Sequence, residues 1–190
     1  MHAVVLHGGV RSDVELEAVH TRLLAAMHAA GWSVESIRVE EQKVHPCVGC
    51  FNCWLKTPGE CGFDDDGRAI LRAMVQSDVN VYLTPISFGG YSGLLKTAVD
   101  RRVPGISPLF QKVHGEMHHQ LRYPNPSSFL AVGWQRTPDA GSAEIFTQLV
   151  ERNAINTHAP AHGSLVLSSG HTVAEQCAML ADLLRKVEVY

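Results

Sequence analysis

Four of the five cysteines lie within one stretch of the chain, residues 44–66. Cys47, Cys50 and Cys53 follow one another at steps of three residues, and Cys61 comes after seven intervening residues. Thiolates at this spacing can converge on one soft metal centre. The stretch therefore predicts an iron–sulfur cluster, a zinc site, or a cysteine-rich loop beside some other site.

The alternatives differ in how well they explain the spacing. Four thiolates suit zinc, but the three-residue steps are closer to the compact spacing of bacterial ferredoxins, which favours a cuboidal cluster. A disulfide between Cys53 and Cys61 is a further alternative, and a reducing compartment disfavours it. A last alternative is that the four cysteines are inert thiols held by packing. Cys177, on the apolar side of the last predicted helix, is expected in the core.

Composition excludes several classes of function. The 190 residues are 45% hydrophobic and 18% charged, as in an ordinary globular domain. The formal net charge is -3 without a basic run, so neither nucleic acid nor an anionic membrane is an expected partner. No apolar stretch approaches the roughly 20 residues that span a bilayer. The N-terminal apolar run predicts a buried strand rather than a signal peptide, and the clustered cysteines indicate a reducing cytoplasm.

The elements that must hold the cysteines alternate between apolar strands and amphipathic helices. Short apolar runs predict five strands, at residues 3–6, 34–39, 79–83, 129–132 and 164–167. Apolar residues at helical spacing predict five helices, at residues 14–27, 67–77, 92–102, 141–156 and 172–187. Residues 103–127 contain four prolines and no clear period, so a long loop or an excursion is predicted there.

This alternation predicts the fold class. Right-handed crossovers between strands produce a parallel sheet covered on both sides. We predict a single α/β domain over residues 1–190, with a flavodoxin-like, doubly wound, five-stranded parallel sheet of order 2-1-3-4-5 in three layers. The cysteine-rich loop, residues 44–66, follows strand two, and residues 103–127 form an excursion. A ligand is expected at the carboxyl ends of strands one, three and four.

The loop after the third strand has features of a site for a flat ligand. It runs TPISFGGYSGLLKTAVDR over residues 84–101. Pro85 stiffens it, and glycines such as Gly89 let the backbone approach a ligand without interference from Cβ. Phe88 and Tyr91 offer ring faces for stacking. The helix that follows is expected to present a solvated surface or an interface with three charged residues, Lys96, Asp100 and Arg101.

This loop resembles the flavin-binding loop of NAD(P)H-dependent FMN reductases, in which a proline–aromatic–glycine segment borders the isoalloxazine ring. The segment PCVGCFNCWLKTPGECGFDDD, residues 46–66, resembles the cysteine loop of the iron–sulfur flavoprotein branch of that family. The tract GEMHHQLRY, residues 115–123, resembles a segment of the same branch. The likeness extends along most of the chain.

The resemblance implies an oxidoreductase that binds FMN and exchanges electrons with NAD(P)H or another small-molecule or protein donor or acceptor. It implies a homodimer or homotetramer, in which a [4Fe–4S] cluster lies close to the FMN of a neighbouring subunit. The cluster ligands would be Cys47, Cys50, Cys53 and Cys61. The FMN contacts would come from three loops, with Gly8, Gly9, Arg11, Ser12, Pro85, Ile86, Ser87, Phe88, Gly89, Gly133 and Trp134. No acid–base residue is predicted, because the cofactors carry the chemistry.

The loop after the first strand departs from the family pattern. The family has a Gly-Ser-Pro-Arg turn and then small hydroxyl residues that hold the FMN phosphate, whereas residues 7–19 run HGGVRSDVELEAV. Gly8 and Arg11 match. Ser12 and Glu15 predict a capping box, in which each side chain bonds to the other's amide. Such a cap occupies helix N-terminal amides that would otherwise bind an anion, so we expect weakened FMN binding.

We therefore predict a flavin-dependent oxidoreductase in which electrons pass between FMN and an iron–sulfur cluster. The alternative is a flavin-free iron–sulfur electron carrier or redox-sensing protein on the same fold, which only the altered first loop favours. A zinc-stabilised flavin reductase without a cluster is a third hypothesis. Trp54 is expected to cover a ring or contact a subunit, and three histidines of the excursion are expected to pack on another subunit, His114, His118 and His119.

Overall fold

A parallel five-stranded sheet forms the centre of the molecule. A computed structural model describes residues 1–187. In that part of the chain the strands are β1 (His2–His7), β2 (Ser33–Arg38), β3 (Val79–Pro85), β4 (Ile106–Val113), β5 (Glu116–Leu121), β6 (Ser128–Gln135) and β7 (His162–Ser168). The sheet has the order β2-β1-β3-β6-β7, and every neighbouring pair is parallel. This confirms the predicted order, since β6 and β7 are the predicted strands four and five.

Helices follow each strand of this sheet along the chain. They are α1 (Val14–Ala29), α2 (Asn52–Leu55), α3 (Asp66–Gln76), α4 (Gly93–Asp100), α5 (Ala140–Asn156) and α6 (Val173–Arg185). The five longer helices each begin after a residue whose side chain accepts a hydrogen bond from a free amide of the first turn. These caps are Asp13, Asp65, Ser92, Asp139 and Thr172. No helix within residues 1–187 combines the length and the apolar character that a membrane crossing requires.

Two apolar cores lie on opposite sides of the sheet and give the predicted three layers. On one side α1 and α6 pack on alternate residues of the strands, with Val5 and Val81 paired at the centre of the sheet. On the other side α3, α4 and α5 pack on the intervening residues, around Tyr82 and Phe129. β3 and β6 lie inside the sheet and are buried over almost their whole length, as their continuous apolar sequence predicts.

Of the two predictions for residues 103–127, a long loop or an excursion, the structureless loop is wrong. A 3₁₀ turn at Val103–Gly105 leads into β4 and β5, which pair as a separate antiparallel hairpin. His114 and Gly115 both take positive φ, 48° and 88°, as the two central residues of a tight hairpin turn require. The prolines obscured the hairpin, because Pro108 lies within β4 and the other three lie just outside the two strands.

The prediction for Cys177 is also wrong. The cysteine is exposed, and so is Val173 one turn earlier. The buried stripe of α6 is set by Gln176, Leu180 and Leu183 instead. The apolar face is therefore rotated away from Cys177, because the polar Gln176 takes an inward position by accepting a hydrogen bond from Arg22 of α1.

Candidate functional site

The four clustered cysteines line one cavity of about 210 Å³, called the cysteine cavity below. Cys53 lies on α2 and is buried, Cys61 is half-buried, and Cys47 and Cys50 are exposed. Their other neighbours are largely apolar, among them Phe63. The structure thus brings all four predicted ligands to one place, and metal binding there stays a prediction.

Tight backbone reversals produce this convergence. Phe51 has a left-handed φ of 55°, and Gly49 and Gly59 have φ of 65° and 91°. Trp54 then ties the cysteine loop to the excursion, since its indole nitrogen lies 3.1 Å from the carbonyl oxygens of both Val103 and Ile106. The side chain is partly buried against the hairpin, so Trp54 holds the two segments of the chain together.

Arg101 is the charged side chain that closes the cavity. It is only 2% exposed, and its two terminal nitrogens each donate to one oxygen of Asp65 at 2.8 Å. One of them also donates to the carbonyl of His45, at the start of the cysteine loop, at 2.8 Å. The third nitrogen of the guanidinium, Nε, is buried without a hydrogen-bond partner. The expectation that Arg101 lies on a solvated surface is wrong, because the buried Asp65 draws it inward; Lys96 and Asp100 do form an exposed pair.

The pKa values of the side chains around the cysteine cavity favour a bound metal centre, which would withdraw negative charge from the thiolates. Burial raises the pKa of the Cys53 thiol, and the neighbouring Cys61 raises it further. Thiolates at this place therefore need a nearby cation, and a metal centre supplies one because it binds cysteine in the deprotonated form. The hydrogen bond to Asp65 raises the pKa of Arg101, so the guanidinium is always charged.

Two metal centres suit four cysteine thiolates, a single zinc ion and an iron–sulfur cluster. No three cysteine Sγ atoms in the described chain lie within 4.8 Å of one another. A tetrahedral zinc site needs sulfur atoms roughly 3.8 Å apart, from a Zn–S bond near 2.3 Å. A cuboidal cluster binds each thiolate through a different iron atom and accepts a wider arrangement. The four thiols and the buried unpaired Nε of Arg101 fit a metal centre bound by cysteine, and an iron–sulfur cluster at this place stays a prediction.

A second candidate region lies at the carboxyl ends of β1, β3 and β6. Ser87 and Gly90 exchange two backbone hydrogen bonds of 3.0 and 2.8 Å, which close a two-residue turn, the Phe88 turn. Phe88 has φ 49° and Gly89 has φ 78°, so both central residues are left-handed. The Phe88 ring is 99% exposed. A bulky residue that occupies this strained region and buries nothing points to a contact made outside the chain.

Hydrogen bonds join this turn to the first strand. Ser92, the cap of α4, donates through Oγ to the Gly8 carbonyl at 2.5 Å and accepts from the Leu95 amide at 3.1 Å. Thr84 Oγ1 accepts from the Ser92 amide at 3.0 Å. A Cβ on Gly8 would come within 2.4 Å of the Leu95 Cβ, so only glycine fits there. The first and third strand ends are therefore held at fixed distance.

Two aromatic side chains near this region serve the core. Tyr91 is buried edge-to-face against Tyr82 and Phe146, so the expectation that it stacks on a ligand is wrong. Trp134 is also buried, and its indole nitrogen has no hydrogen-bond partner. Its backbone carbonyl accepts from the Ile86 amide at 2.9 Å, and the Ile86 side chain packs over Gly133. A ligand contact by Pro85, Ile86, Gly133 or Trp134 stays a prediction.

In the first loop, residues 8–13, backbone amides and the Arg11 guanidinium donate hydrogen bonds to carboxylates and carbonyls of the same chain. The predicted capping box of Ser12 and Glu15 is wrong, because the Val14 amide bonds to the Ser12 carbonyl and the cap moves to Asp13. The Asp13 carboxylate accepts from the Leu16 amide at 3.2 Å. The Arg11 amide donates to the carboxylate of Glu40 at 2.8 Å, and the Arg11 guanidinium pairs with Glu41. Sequence analysis missed Glu40 and Glu41, which arrive from the turn after β2.

A buried polar network supports this loop from below. The Gly9 amide donates to His7 Nδ1 at 3.3 Å. His7, Glu17 and His20 bring their ligand-type atoms within 4.8 Å of one another, and Arg38 forms a two-pronged ion pair with Glu17. Burial lowers the pKa of His7 and lowers that of His20 to about 4, so both rings are neutral near pH 7.

The histidines of the excursion hold the hairpin in place. His118 is buried and bonds to Asn156 of α5 at 2.8 Å and to Glu116 at 3.1 Å. His119 bonds to the Ser107 carbonyl at 2.8 Å and packs against the ring of Trp54. These contacts within the chain account for both side chains. Packing of His114 on another subunit stays a prediction.

The sequence matches the model of the NADPH-dependent FMN reductase family over residues 1–121. The chain therefore belongs to this family, as its fold and the resemblance of its loops predict. It is 31% identical over 104 residues to an iron-sulfur flavoprotein of Methanocaldococcus jannaschii, covering 55% of this chain and 53% of that protein. It is 28% identical over 116 residues to an iron-sulfur flavoprotein of Archaeoglobus fulgidus, covering 60% and 52%. The chain spans about half the length of these curated relatives.

Solved structures support the fold. An NAD(P)H:quinone oxidoreductase from Methanothermobacter marburgensis superposes with a TM-score of 0.72 at 11% identity, covering 99% of this chain and 96% of that one. An FMN-dependent NADH-azoreductase from Bacillus anthracis, solved in complex with FMN, superposes with a TM-score of 0.62 at 12% identity, covering 99% and 96%.

The FMN that the family name implies fits this chain only in part. The exposed Phe88 ring and the flat glycine turn beside it fit a flavin ring. The first loop does not fit the phosphate, because Glu40 and Asp13 already accept from amides there.

Proposed function

We propose that the chain is an oxidoreductase that passes electrons between a [4Fe–4S] cluster held by its four clustered cysteines and a flavin ring at the Phe88 turn. The observation that carries the proposal is the cysteine cavity, where Cys47, Cys50, Cys53 and Cys61 meet beside a buried arginine. Membership of the FMN reductase family supports an oxidoreductase, and the names of the relatives support the cluster.

The residues of the cavity would each have a defined part. A bound cluster supplies one-electron transfer. The four cysteines would hold it as thiolates, with Cys53 as the buried ligand and Cys47 and Cys50 on the solvent side. Arg101 would donate its unpaired Nε–H toward the sulfur atoms. Asp65 would fix the guanidinium in that orientation, as outer-shell partners of metal ligands do.

The electron donor is proposed as NAD(P)H, and the acceptor as a small molecule or a protein. The family description supports NADPH, and a structural neighbour is described as an FMN-dependent NADH-azoreductase. In this chain the flavin ring would stack on Phe88 and lie along the backbone of Gly89. A reducing cytoplasm is the proposed location, because the clustered thiols are free.

We further propose a homodimer or homotetramer. The cysteine loop exposes Val48, Phe51 and Leu55, and the hairpin exposes Leu109, Phe110 and Met117. Rings connect the two segments, with centroids 4.3 to 5.1 Å apart. Phe51 stacks on Trp54, and the ring of His119 lies tilted against those of Trp54 and Phe110. An apolar surface of this extent is typical of a protein interface.

The test is the cofactor content of the protein purified without oxygen. We expect roughly four iron atoms and four acid-labile sulfides per chain, with a broad brown absorption that dithionite bleaches. Cys61→Ser should lose the iron, while the matched change Cys177→Ser, at the exposed cysteine of α6, should keep it. Colourless protein with stoichiometric zinc would refute the cluster.

A flavin-free iron–sulfur carrier is the second candidate. The self-occupied first loop favours it, because its carboxylates stand where a cofactor phosphate would bind. The same preparation distinguishes the two candidates: cluster absorption without flavin bands, before and after incubation with free flavins, would establish the carrier.

A further inference from the structure

We propose that the strand-end site takes a flavin without a phosphate, such as riboflavin, in preference to FMN. This inference rests on the proposed function, since it concerns the same flavin site and names the chemical class of its ligand. The structural basis is that the chain's own acidic side chains fill the place where a flavin phosphate would lie.

The phosphate of a nucleotide cofactor in open α/β folds binds at the N-terminus of the helix after the first strand, where free amides point toward it. In this chain five of the amides at that place have partners already. The Gly9 amide donates to His7, the Arg11 amide to Glu40, and the Leu16 amide to Asp13. The Asp13 and Val14 amides donate to carbonyls of the same loop. A phosphate would have to displace these acceptors one by one.

The nearby cations are equally engaged. Arg11 pairs with Glu41 and Arg38 pairs with Glu17. Arg136, which follows β6, lies 3.7 Å from Asp13 and 3.4 Å from Glu15. Each guanidinium group near the loop is thus bound to at least one carboxylate of the chain.

The charges around the first loop disfavour binding of a doubly charged phosphate group. Five carboxylates surround the loop, from Asp13, Glu15, Glu17, Glu40 and Glu41, and three guanidinium groups face them. The surplus is two negative charges, and a phosphate would add about two more. Repulsion between like charges disfavours that form of the ligand. Riboflavin ends in a neutral hydroxyl group, which can donate a hydrogen bond to a carboxylate such as that of Glu40.

The ring end of the site has no such conflict. The Phe88 turn carries no charged residue, its aromatic ring is exposed, and the backbone strain at Phe88 is maintained although the ring packs on nothing in the chain. The ring of a flavin is the same in riboflavin and in FMN. Discrimination between them therefore falls on the first loop alone.

The experiment is a fluorescence titration of the full chain with riboflavin and with FMN at low and at high salt. We expect riboflavin to bind roughly tenfold more tightly than FMN at low salt, because a tenfold ratio is the scale of one modest charge repulsion. Added NaCl should strengthen FMN binding, since salt screens repulsion, and should leave riboflavin binding unchanged. A site built for phosphate would respond to salt in the opposite direction.

Variants locate the effect. Glu40→Gln/Glu41→Gln should raise FMN affinity roughly tenfold and leave riboflavin affinity unchanged. The control Glu35→Gln/Glu151→Gln makes the same change in net charge at exposed positions on β2 and α5, and should alter neither. FMN binding equal to or tighter than riboflavin binding in the unaltered chain would overturn the inference and leave the proposed function standing. Binding of neither flavin would overturn both the inference and the flavin part of the proposed function, while the iron content still tests the cluster.

Discussion

Arg101 and Asp65 form a buried two-pronged ion pair between residues 36 positions apart, with both N–O distances at 2.8 Å. The pair joins the last turn of α4 to the cap of α3, and the cysteine cavity opens beside it. Burial alone would raise the pKa of Asp65, but the hydrogen bonds from Arg101 and His45 hold it well below its usual range. The pair is therefore ionised at every working pH.

Breaking this pair should destabilise the fold. Arg101→Met leaves the Asp65 carboxylate buried without its partner, and we expect a loss of about 3–5 kcal/mol in the free energy of unfolding. Urea denaturation of the cluster-free protein measures it. The double change Asp65→Asn/Arg101→Met removes both charges and should recover part of the loss. Equal losses in the single and double variants would show that the ion pair is not the cause.

Arg101 should also tune the cluster. A positive charge and an N–H donor beside the sulfur atoms stabilise the more negative, reduced form. Arg101→Lys keeps the charge but lacks the Nε donor, and we expect the reduction potential to fall by roughly 60 mV, a tenfold change in a one-electron equilibrium. A redox titration followed by electron paramagnetic resonance gives this value. An unchanged potential at unchanged iron content would assign Arg101 a purely structural role.

The sheet could be predicted because its strands are buried apolar runs whose order follows from right-handed crossovers, and β3 and β6 show this directly. The convergence of the four cysteines could be predicted because they are neighbours in sequence. The burial of Arg101 could not be predicted, since its partner Asp65 lies 36 residues away and an arginine at a helix end is usually solvated. The sequence contains one weak indication of the hairpin turn, the His114-Gly115 dipeptide, because histidine and glycine both tolerate positive φ.

Replacing Phe88 should increase the stability of the fold and abolish flavin binding. Asparagine tolerates the left-handed region far better than phenylalanine, so Phe88→Asn is expected to raise the free energy of unfolding by about 1 kcal/mol. The same change should remove measurable flavin binding, since the stacking ring is lost. Thermal melting and flavin titration follow the two effects. Val173→Asn, at an exposed apolar residue with helical backbone, is the control and should leave flavin binding intact.

Acid should weaken the fold through His20. Burial lowers its folded pKa from 6.5 to about 4, and the neighbouring charges of His7 and Arg38 act in the same direction. In this pH range His20 binds a proton in the unfolded chain but not in the folded chain. The free energy of unfolding therefore falls as the pH drops from 6.5 to about 4. His20→Gln should reduce the slope by up to about 1.4 kcal/mol per pH unit in that window. Urea titrations of both proteins across this pH range measure the slope, and an equal slope in the two would refute the role of His20.

The apolar surface of the hairpin should control assembly. Phe110→Asp places a charge at the centre of the exposed residues of β4 and should shift the protein to monomers in light scattering after gel filtration. Val173→Asp adds the same charge on α6 and should keep the assembly. A monomeric unaltered protein would refute the proposed oligomer.

Helix α4 gives the two candidate regions a mechanical connection. Its cap, Ser92, holds the Gly8 carbonyl at the strand ends, and Arg101 at its other end borders the cysteine cavity. Its eight residues span about 12 Å and behave as a rigid rod. A ligand that shifts Ser92 must shift Arg101 as well. Allosteric coupling of this kind is reciprocal, so occupancy of either region should change the affinity of the other by the same factor.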